Sequence, residues 1–333
     1  MPRLPHTTQL LYAELLQQYA IALPNQRGIS FVTKTVGGNQ YWYMELVVGS
    51  TKRQYSLGRD TDELRAQIEK QKKLFSQAAP DLKQREKLVA MLVSGGGFAP
   101  GASDGRVLEV LAQAGTFLTG GVLVGSHAFN TYGNMLGVSW ASAAMQTQDL
   151  DLASLHQVEI AMRRDAPDVK SVLLESGMGF FEVPALNPKS PSTSFKLRGQ
   201  EFKVDLLTPL EGPNTSKPVH LPHFKTFAHP MRFLEYLLDD SQDAVIPFRS
   251  GVLVNVPNPA RFALHKLVVS QRRPVAQQTK VNKDIQQAEE LLAVLLEDRP
   301  GDVCIALEAA EGMPAKFQQQ LAEGMKYLSA GVK

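Results

Sequence analysis

The sequence is short of several things, and each absence narrows the reading. It has one cysteine, Cys304, so it cannot form an internal disulfide, and a reducing, cytoplasmic setting is expected. Cys304 falls among apolar letters in a helical pattern, so packing is its expected role. No apolar run approaches the ~20 residues of a membrane span, so no membrane partner is expected. The N-terminus, "MPRLPHTTQLLYAELLQQYAIALPNQ", reads as an amphipathic helix rather than a signal peptide, because Glu14, Gln17 and Gln18 interrupt its short apolar stretches. No internal repeat is visible. Net charge is small, +2 at pH 7, so a preference for a charged partner must come from how charge is distributed.

What is present is ordinary globular composition: 333 residues, 44% hydrophobic and 20% charged. That is enough chain for a large core and roughly two domains. The charge is uneven. Residues 1–90 hold 13 Lys and Arg against 8 Asp and Glu, net +5, and the remainder holds 22 against 25, net −3. A basic front end is either a solvated surface or a grip for a polyanion.

The front end has a pattern of its own. "ISFVTKTV", "YWYMELVV" and "RQYSLG" read as three strands, joined at "GGN" and "GSTK", and "DTDELRAQIEKQKKLF" follows as a helix with capping acids. A three-stranded meander backed by a helix resembles the arm-type DNA-binding domain of tyrosine recombinases. Lys34, Lys52, Arg53 and Arg59, with Tyr41 and Trp42, would then contact nucleic acid. Alternatively the aromatics pack the helix onto the sheet. Four regions are expected: 1–93 for the helix, meander and long helix; 94–105 for a glycine-rich linker, "SGGGFAPGASDG"; 106–256 for a mixed α/β core; and 257–333 for a helical region. The linker is no phosphate loop, since a helix precedes it and no Gly-Lys-Ser/Thr follows.

Within the core, "GGVLVGS" is a strand entering the helix "HAFNTYGNML". "QDLDLAS" is a strand, and "STSFKLRGQEFKVDLLTPL" is a hairpin turned at Arg198-Gly199-Gln200. Asp149 and Asp151 stand two apart in their strand, so both belong to one face. Like charges at that spacing repel and call for something positive between them. Asp205 stands between Val204 and Leu206, out of character for a plain strand. Three carboxylates suit Mg²⁺, which prefers carboxylates plus substrate phosphates. Gly125 allows close backbone approach to a ligand, and Ser126 starts a helix whose free N–H groups and dipole favour phosphate.

This order resembles the DNA polymerase β nucleotidyltransferase superfamily, and "VGSHAFNTYG", "TQDLDLA" and "FKVDLLTP" carry the resemblance over roughly residues 103–297. Twenty-two residues separate Ser126 from Asp149, a longer spacer than usual in the superfamily. It resembles the insert of a long-insert bacterial nucleotidyltransferase family. "NPARFALHKLVVSQRR" followed by "KVNKDIQQAEELL" is similar to toxin-type nucleotidyltransferases of toxin–antitoxin modules.

The resemblance implies an α/β (α+β) fold, with a mixed-sheet nucleotidyltransferase core and C-terminal helices. It implies two Mg²⁺ ions, with Mn²⁺ as a substitute, on Asp149, Asp151 and Asp205. Gly125 and Ser126 would hold donor phosphates, Lys266 would reach the triphosphate with Arg272, Arg273 or Lys283 nearby, and Asp284 would orient a basic neighbour. The residues alone say that Lys266, on an apolar helix face, is either a snorkelling or ion-paired lysine or one awaiting an anion.

The expected reaction moves a nucleoside monophosphate from an NTP to an acceptor hydroxyl, with RNA, tRNA included, as acceptor, and an antitoxin or neighbouring-gene product as partner. The alternatives are a protein or small-molecule acceptor, or an NTP-sensing regulator without turnover. A serine hydrolase at Ser126-His127 lacks the glycine two residues after the serine. A zinc site at His220, His223 and His229 lacks cysteines and a zincin pattern; "LPHF" and "AHP" are expected to be loop.

Overall fold

The computed structural model describes residues 1–21, 29–48, 51–140, 149–153, 168–185, 190–200, 202–213 and 215–332. The fold is mixed α/β, as expected. The chain opens with α1 (His6–Ile21). Then comes the antiparallel meander β1 (Ile29–Val36), β2 (Asn39–Val48) and β3 (Thr51–Arg59), in the order β1-β2-β3. A long helix, α2 (Asp62–Ser94), follows because Thr61 caps it, accepting from the Leu64 N–H, with Asp62 and Glu63 in its first turn. At 1.5 Å per residue it is ~50 Å long.

Its two ends do different work. The first half carries the meander: the Trp42 indole donates to Asp60 at 2.7 Å, and the Lys72 ammonium lies 5.2 Å from the centre of the Trp42 ring. The last turns place Leu88, Val89 and Leu92 in a small apolar cluster with Tyr12 and Leu15 of α1 and Val245. The Tyr19 hydroxyl donates to the Gly251 carbonyl at 2.7 Å. Thus α1 and the end of α2 wall the central body.

The body continues with α3 (Ala102–Gln113), β4 (Val122–Val124), α4 (Gly125–Leu136), β5 (Asp149–Ala153), α5 (Val169–Leu174), β6 (Phe180–Glu182), β7 (Ser194–Leu197) and β8 (Lys203–Pro209). Next come β9 (Val219–Leu221), β10 (Thr226–Met231), α6 (Leu234–Leu238), and the ribbon β11 (Ser241–Ile246) with β12 (Val252–Pro257). The central sheet runs β4-β5-β8-β10-β9, with β7 and β6 branching from β8. β5 pairs parallel with β8, and β4 pairs antiparallel with β5. β7 pairs with β8 from Lys203 to Asp205, whereas β10 pairs with it from Leu207 to Pro209. The neighbour of β8 therefore changes just past Asp205.

Alternation settles the faces of β8. Val204 and Leu206 are 0% and 1% exposed and join Leu123 and Phe195 in the main core, while Lys203 and Asp205 take the alternate positions and are half-buried.

Of the two stretches expected to be loop, "LPHF" is largely the 3-10 turn Pro222–Phe224 that joins β9 to β10, with Lys225 at φ 48°, whereas "AHP" lies in β10. β10 is held by β8 on one side and β9 on the other, which outweighs its poor strand letters.

The C-terminal helices are α7 (Pro259–Ser270), α8 (Gln278–Asp298), α9 (Pro300–Glu311) and α10 (Ala315–Met325). Asn258 starts α7 by accepting from the Ala260 and Arg261 N–H groups, with Pro259 at the first helical position. On α9, Val303, Ala306 and Ala310 are buried, but Cys304 is exposed, which corrects its expected packing role. It sits one residue round from the buried stripe. Among the described residues, no helix is long and apolar enough to cross a membrane.

Candidate active site

The site starts where β4 turns into α4. Gly125 makes the turn at φ 69°, which side-chain-bearing residues rarely adopt. No side chain caps the helix start, and the first four N–H groups of a helix have no partner within it. Ser126 is half-buried at that end. His127, the next residue, is 3% exposed with its Nε2 3.3 Å from the Asp104 carboxylate.

The pairing then places the acids. Val124 is opposite Asp151, and Asp151 is opposite Asp205 on the next strand. Asp149 stands opposite Lys203. The side chains of Asp149 and Asp151, and residues 141–148 of the spacer, lie outside the described residues; their strand positions are described. Val124, Asp151 and Asp205 thus share one level of three adjacent strands beside the Gly125 turn, with Asp149 two residues along β5 from that level.

Asp205 has two partners. The Lys203 ammonium lies 2.6 Å from its Oδ2, and the Ser194 hydroxyl donates to its Oδ1. The side chains of Lys203 and Asp205 are 33% and 20% exposed, so this pair is open to exchange. Lys203 supplies a positive charge beside Asp205. Sequence reasoning passed over both residues, though the signals were there. Lys203 is two positions before Asp205, and the hairpin turn at 198–200 sets Ser194 opposite it.

The basic residues expected near the triphosphate are placed as follows. Lys266 is 2.7 Å from Asp284, and Arg273 pairs with the other oxygen of that carboxylate. Asp284 is 2% exposed, and the Lys266 ammonium also lies 5.3 Å from the centre of the Phe262 ring. Burial raises the Asp284 pKa, but Lys266 and Arg273 outweigh it and hold the carboxyl below its usual range. Lys283 is half-buried and has partners. Arg272 is exposed and stacks over Phe233, on the wall of a pocket with Arg232 and His229.

In the meander, Lys34, Tyr41 and Arg59 share a face. Lys34 and Arg59 pair in register with Tyr41 from either side, and the Lys34 ammonium is 5.3 Å from the centre of the Tyr43 ring. Trp42 faces α2 instead, so it packs the helix onto the sheet. The side chains of Lys52 and Arg53 lie outside the described residues.

Residues 103–310 match the sequence model of a family described as "Nucleotidyltransferase". The chain belongs to this nucleotidyltransferase family. It is accordingly a nucleotidyltransferase enzyme, and an NTP is its expected substrate. No curated protein matches the chain. A crystal structure of an antigenic nucleotidyltransferase-like protein from Paracoccidioides brasiliensis is 15% identical, over 67% of this chain and 95% of that one, with a TM-score of 0.33. That value is too low to bear on the fold.

Nucleotidyltransferases generally use divalent metal ions. Among the described residues no cluster of three metal-ligating side chains occurs. The donor chemistry nevertheless fits a hard cation. Two carboxylate-bearing positions, Asp151 and Asp205, stand at one level with Asp149 two residues along β5, and the Asp205 carboxylate is held by an ammonium that a cation can replace.

Proposed function

We propose that this nucleotidyltransferase moves a nucleoside monophosphate from an NTP to a hydroxyl of an RNA, tRNA included, and releases pyrophosphate. The observation that carries the reading is the level shared by Asp151 and Asp205, with Asp149 two residues along the same strand as Asp151, beside the Gly125–Ser126 turn. The open start of α4 receives the β and γ phosphates through its N–H groups and dipole. The acceptor oxygen attacks the α-phosphorus, the bond to the β-phosphate oxygen breaks, and pyrophosphate leaves in line. Asp149, Asp151 and Asp205 would hold two Mg²⁺ ions, which offset phosphate charge and stabilise the attacking and leaving oxygens.

The Asp205 carboxylate, nearest the change of strands, favours loss of the acceptor proton by its negative charge. Lys203 moves from Asp205 toward the phosphates when the donor binds, so the charge in the site stays balanced. Catalysis is then mainly positioning and electrostatics.

RNA is favoured over a protein acceptor by the meander. Lys34, Tyr41, Tyr43 and Arg59 make a basic face with half-buried tyrosine rings, a platform suited to nucleobases and phosphates. An RNA-modifying toxin restrained by an antitoxin is the biological setting that this activity fits.

The test is labelled-nucleotide transfer with each of the four NTPs, total RNA and Mg²⁺. Label in RNA with matching pyrophosphate release is expected. Label entering protein alone would overturn the RNA assignment.

A further inference from the structure

A second basic cluster lies at the carboxyl ends of β8 and β10. Thr215, Ser216, His229, Met231, Arg232 and Arg272 line an open pocket of about 390 Å³. The Arg272 guanidinium stacks 5.2 Å from the centre of the Phe233 ring, and among the described residues no carboxylate pairs with it. Burial, and then the neighbouring Arg232 charge, push the Arg272 pKa down. Arg232 donates to the Gly212 carbonyl at 2.7 Å and is close enough to Glu235 to lower that residue's pKa, against burial and Glu211, which raise it. Arg232 therefore has acids around it, and Arg272 keeps its charge for something else. Two guanidiniums, two hydroxyls and an imidazole lining one pocket suit a tetrahedral oxyanion, which guanidinium forks bind bidentately.

The place of this pocket decides which anion. The Gly125 turn leaves β4 beside Asp151, toward the amino-terminal ends of β5 and β8. The pocket lies in the other direction along the strands. Ala153, Leu207 and His229 share a level two residues beyond Asp151 and Asp205, and His229 lines the pocket. Two residues of strand span ~7 Å. In an in-line displacement the leaving pyrophosphate and the attacking oxygen lie on opposite sides of the phosphorus. With the donor's outer phosphates at Gly125 and Ser126, the acceptor enters from the side of His229, Arg232 and Arg272.

We propose that the Arg232–Arg272 pocket binds a phosphate group of the acceptor, so that the acceptor is itself a phosphate-bearing molecule. This rests on the nucleotidyl-transfer reading above. It removes Arg272 from the donor triphosphate and makes it a residue that selects the acceptor. The donor's own phosphates are the other source of the same chemistry.

The test uses the full-length protein with Arg272→Gln and Arg272→Lys, the latter keeping the charge. Binding is measured by titration calorimetry with three probes: a non-hydrolysable ATP analogue with Mg²⁺, a short oligoribonucleotide with a free 3′-hydroxyl, and adenosine. Wild type should bind the oligonucleotide more tightly than adenosine, and inorganic phosphate should compete with the oligonucleotide. Arg272→Gln should weaken oligonucleotide binding about tenfold or more, as for a lost hydrogen bond to a charged group. Arg272→Lys should restore much of it. Affinity for the ATP analogue should stay within about twofold in both variants, as for a change remote from the bound group.

Equal oligonucleotide affinity in wild type and Arg272→Gln overturns the proposal. So does a loss confined to the ATP analogue, which would return the pocket to the donor, and so does a wild type that prefers adenosine. A wild type that releases no pyrophosphate from any NTP contradicts the transfer reading instead, and the binding comparison still decides what the pocket holds.

Discussion

Asp205 and Asp284 each sit between a lysine and a second hydrogen-bond donor, yet they are opposites. Asp284 is sealed at 2% exposure, and both of its oxygens are taken by cations, Lys266 and Arg273. Asp205 is half-buried, and it shares one lysine and one serine at the point where the neighbour of β8 changes. The same letters, a carboxylate and a lysine, make a clamp in one place and an exchangeable pair in the other. Burial and the number of fixed charges separate the two, and neither is visible in the residue names.

The comparison can be broken at several points. The largest effect is expected from Asp284→Ala, which leaves two cations facing each other near the core. Urea unfolding should show a loss of ~3–5 kcal/mol. A loss under ~1 kcal/mol would make Asp284 no clamp.

Asp205→Ala should do the reverse. Transfer should fall by ~10²–10³-fold, as when one transition-state electrostatic group is removed. Stability should change by less than ~1 kcal/mol, because the pair is partly solvated. Activity near wild type, with a collapsed melting temperature, would make Asp205 structural.

Lys266→Met deletes one cation of the clamp and keeps its stem. Stability should drop by ~1.5–3 kcal/mol, the worth of a hydrogen bond to a charged group. NTP affinity should hold, because the ammonium is already engaged by Asp284. A tenfold loss of NTP affinity with unchanged stability would instead put Lys266 on the triphosphate.

His265 sharpens the clamp side through pH. Burial pushes its pKa down to about 3, helped by Lys266 and opposed by Asp284. The folded imidazole stays neutral while the unfolded one takes up a proton below about 6.5. This contribution to stability is therefore full above about pH 6.5 and declines as pH falls toward about 3. Wild type should lose about 2 kcal/mol between pH 7 and 5 from this group. In His265→Gln that slope should be missing. Parallel slopes in the two proteins would remove His265 as its source.

The smallest effect concerns the meander. Lys34→Gln should weaken RNA binding evenly across sequences and lower the salt slope by about one unit. An unchanged slope would leave the Tyr41–Tyr43 face without a phosphate contact.

Much of this architecture was legible. Alternation around Asp205 exposed the outward face of β8, and the Arg198-Gly199-Gln200 turn gave its hairpin. Asn258-Pro259 and Thr61-Asp62 marked two helix starts because caps are local chemistry. The order of Gly125, Asp149 and Asp205 pointed to the family later matched over residues 103–310.

What stayed hidden depends on distant neighbours. β10 contains His229 and Pro230 and becomes a strand because β8 and β9 flank it. α1 looked like part of a separate front end, yet Tyr12 and Leu15 pack with Val245, more than 220 residues away. Residues 1–90 therefore cannot be removed as a unit without stripping that cluster, and a deletion that tests the meander should be confined to β1–β3. Arg232 and Arg272 are brought to one pocket by the turn after β10 and the end of α7, which no spacing rule connects.

The central claim is that the acids beside the Gly125 turn carry nucleotidyl transfer. The most direct measurement is label transfer from α-labelled NTP to RNA, with Mg²⁺, by wild type, Asp149→Ala, Asp151→Ala and Asp205→Ala, alongside thermal melts of all four. The account predicts transfer at least ~10²-fold slower in each variant than in wild type, with four nearly equal melting temperatures. Transfer at wild-type rates by any of the three variants, or variants that lose activity only because they no longer fold, would contradict it.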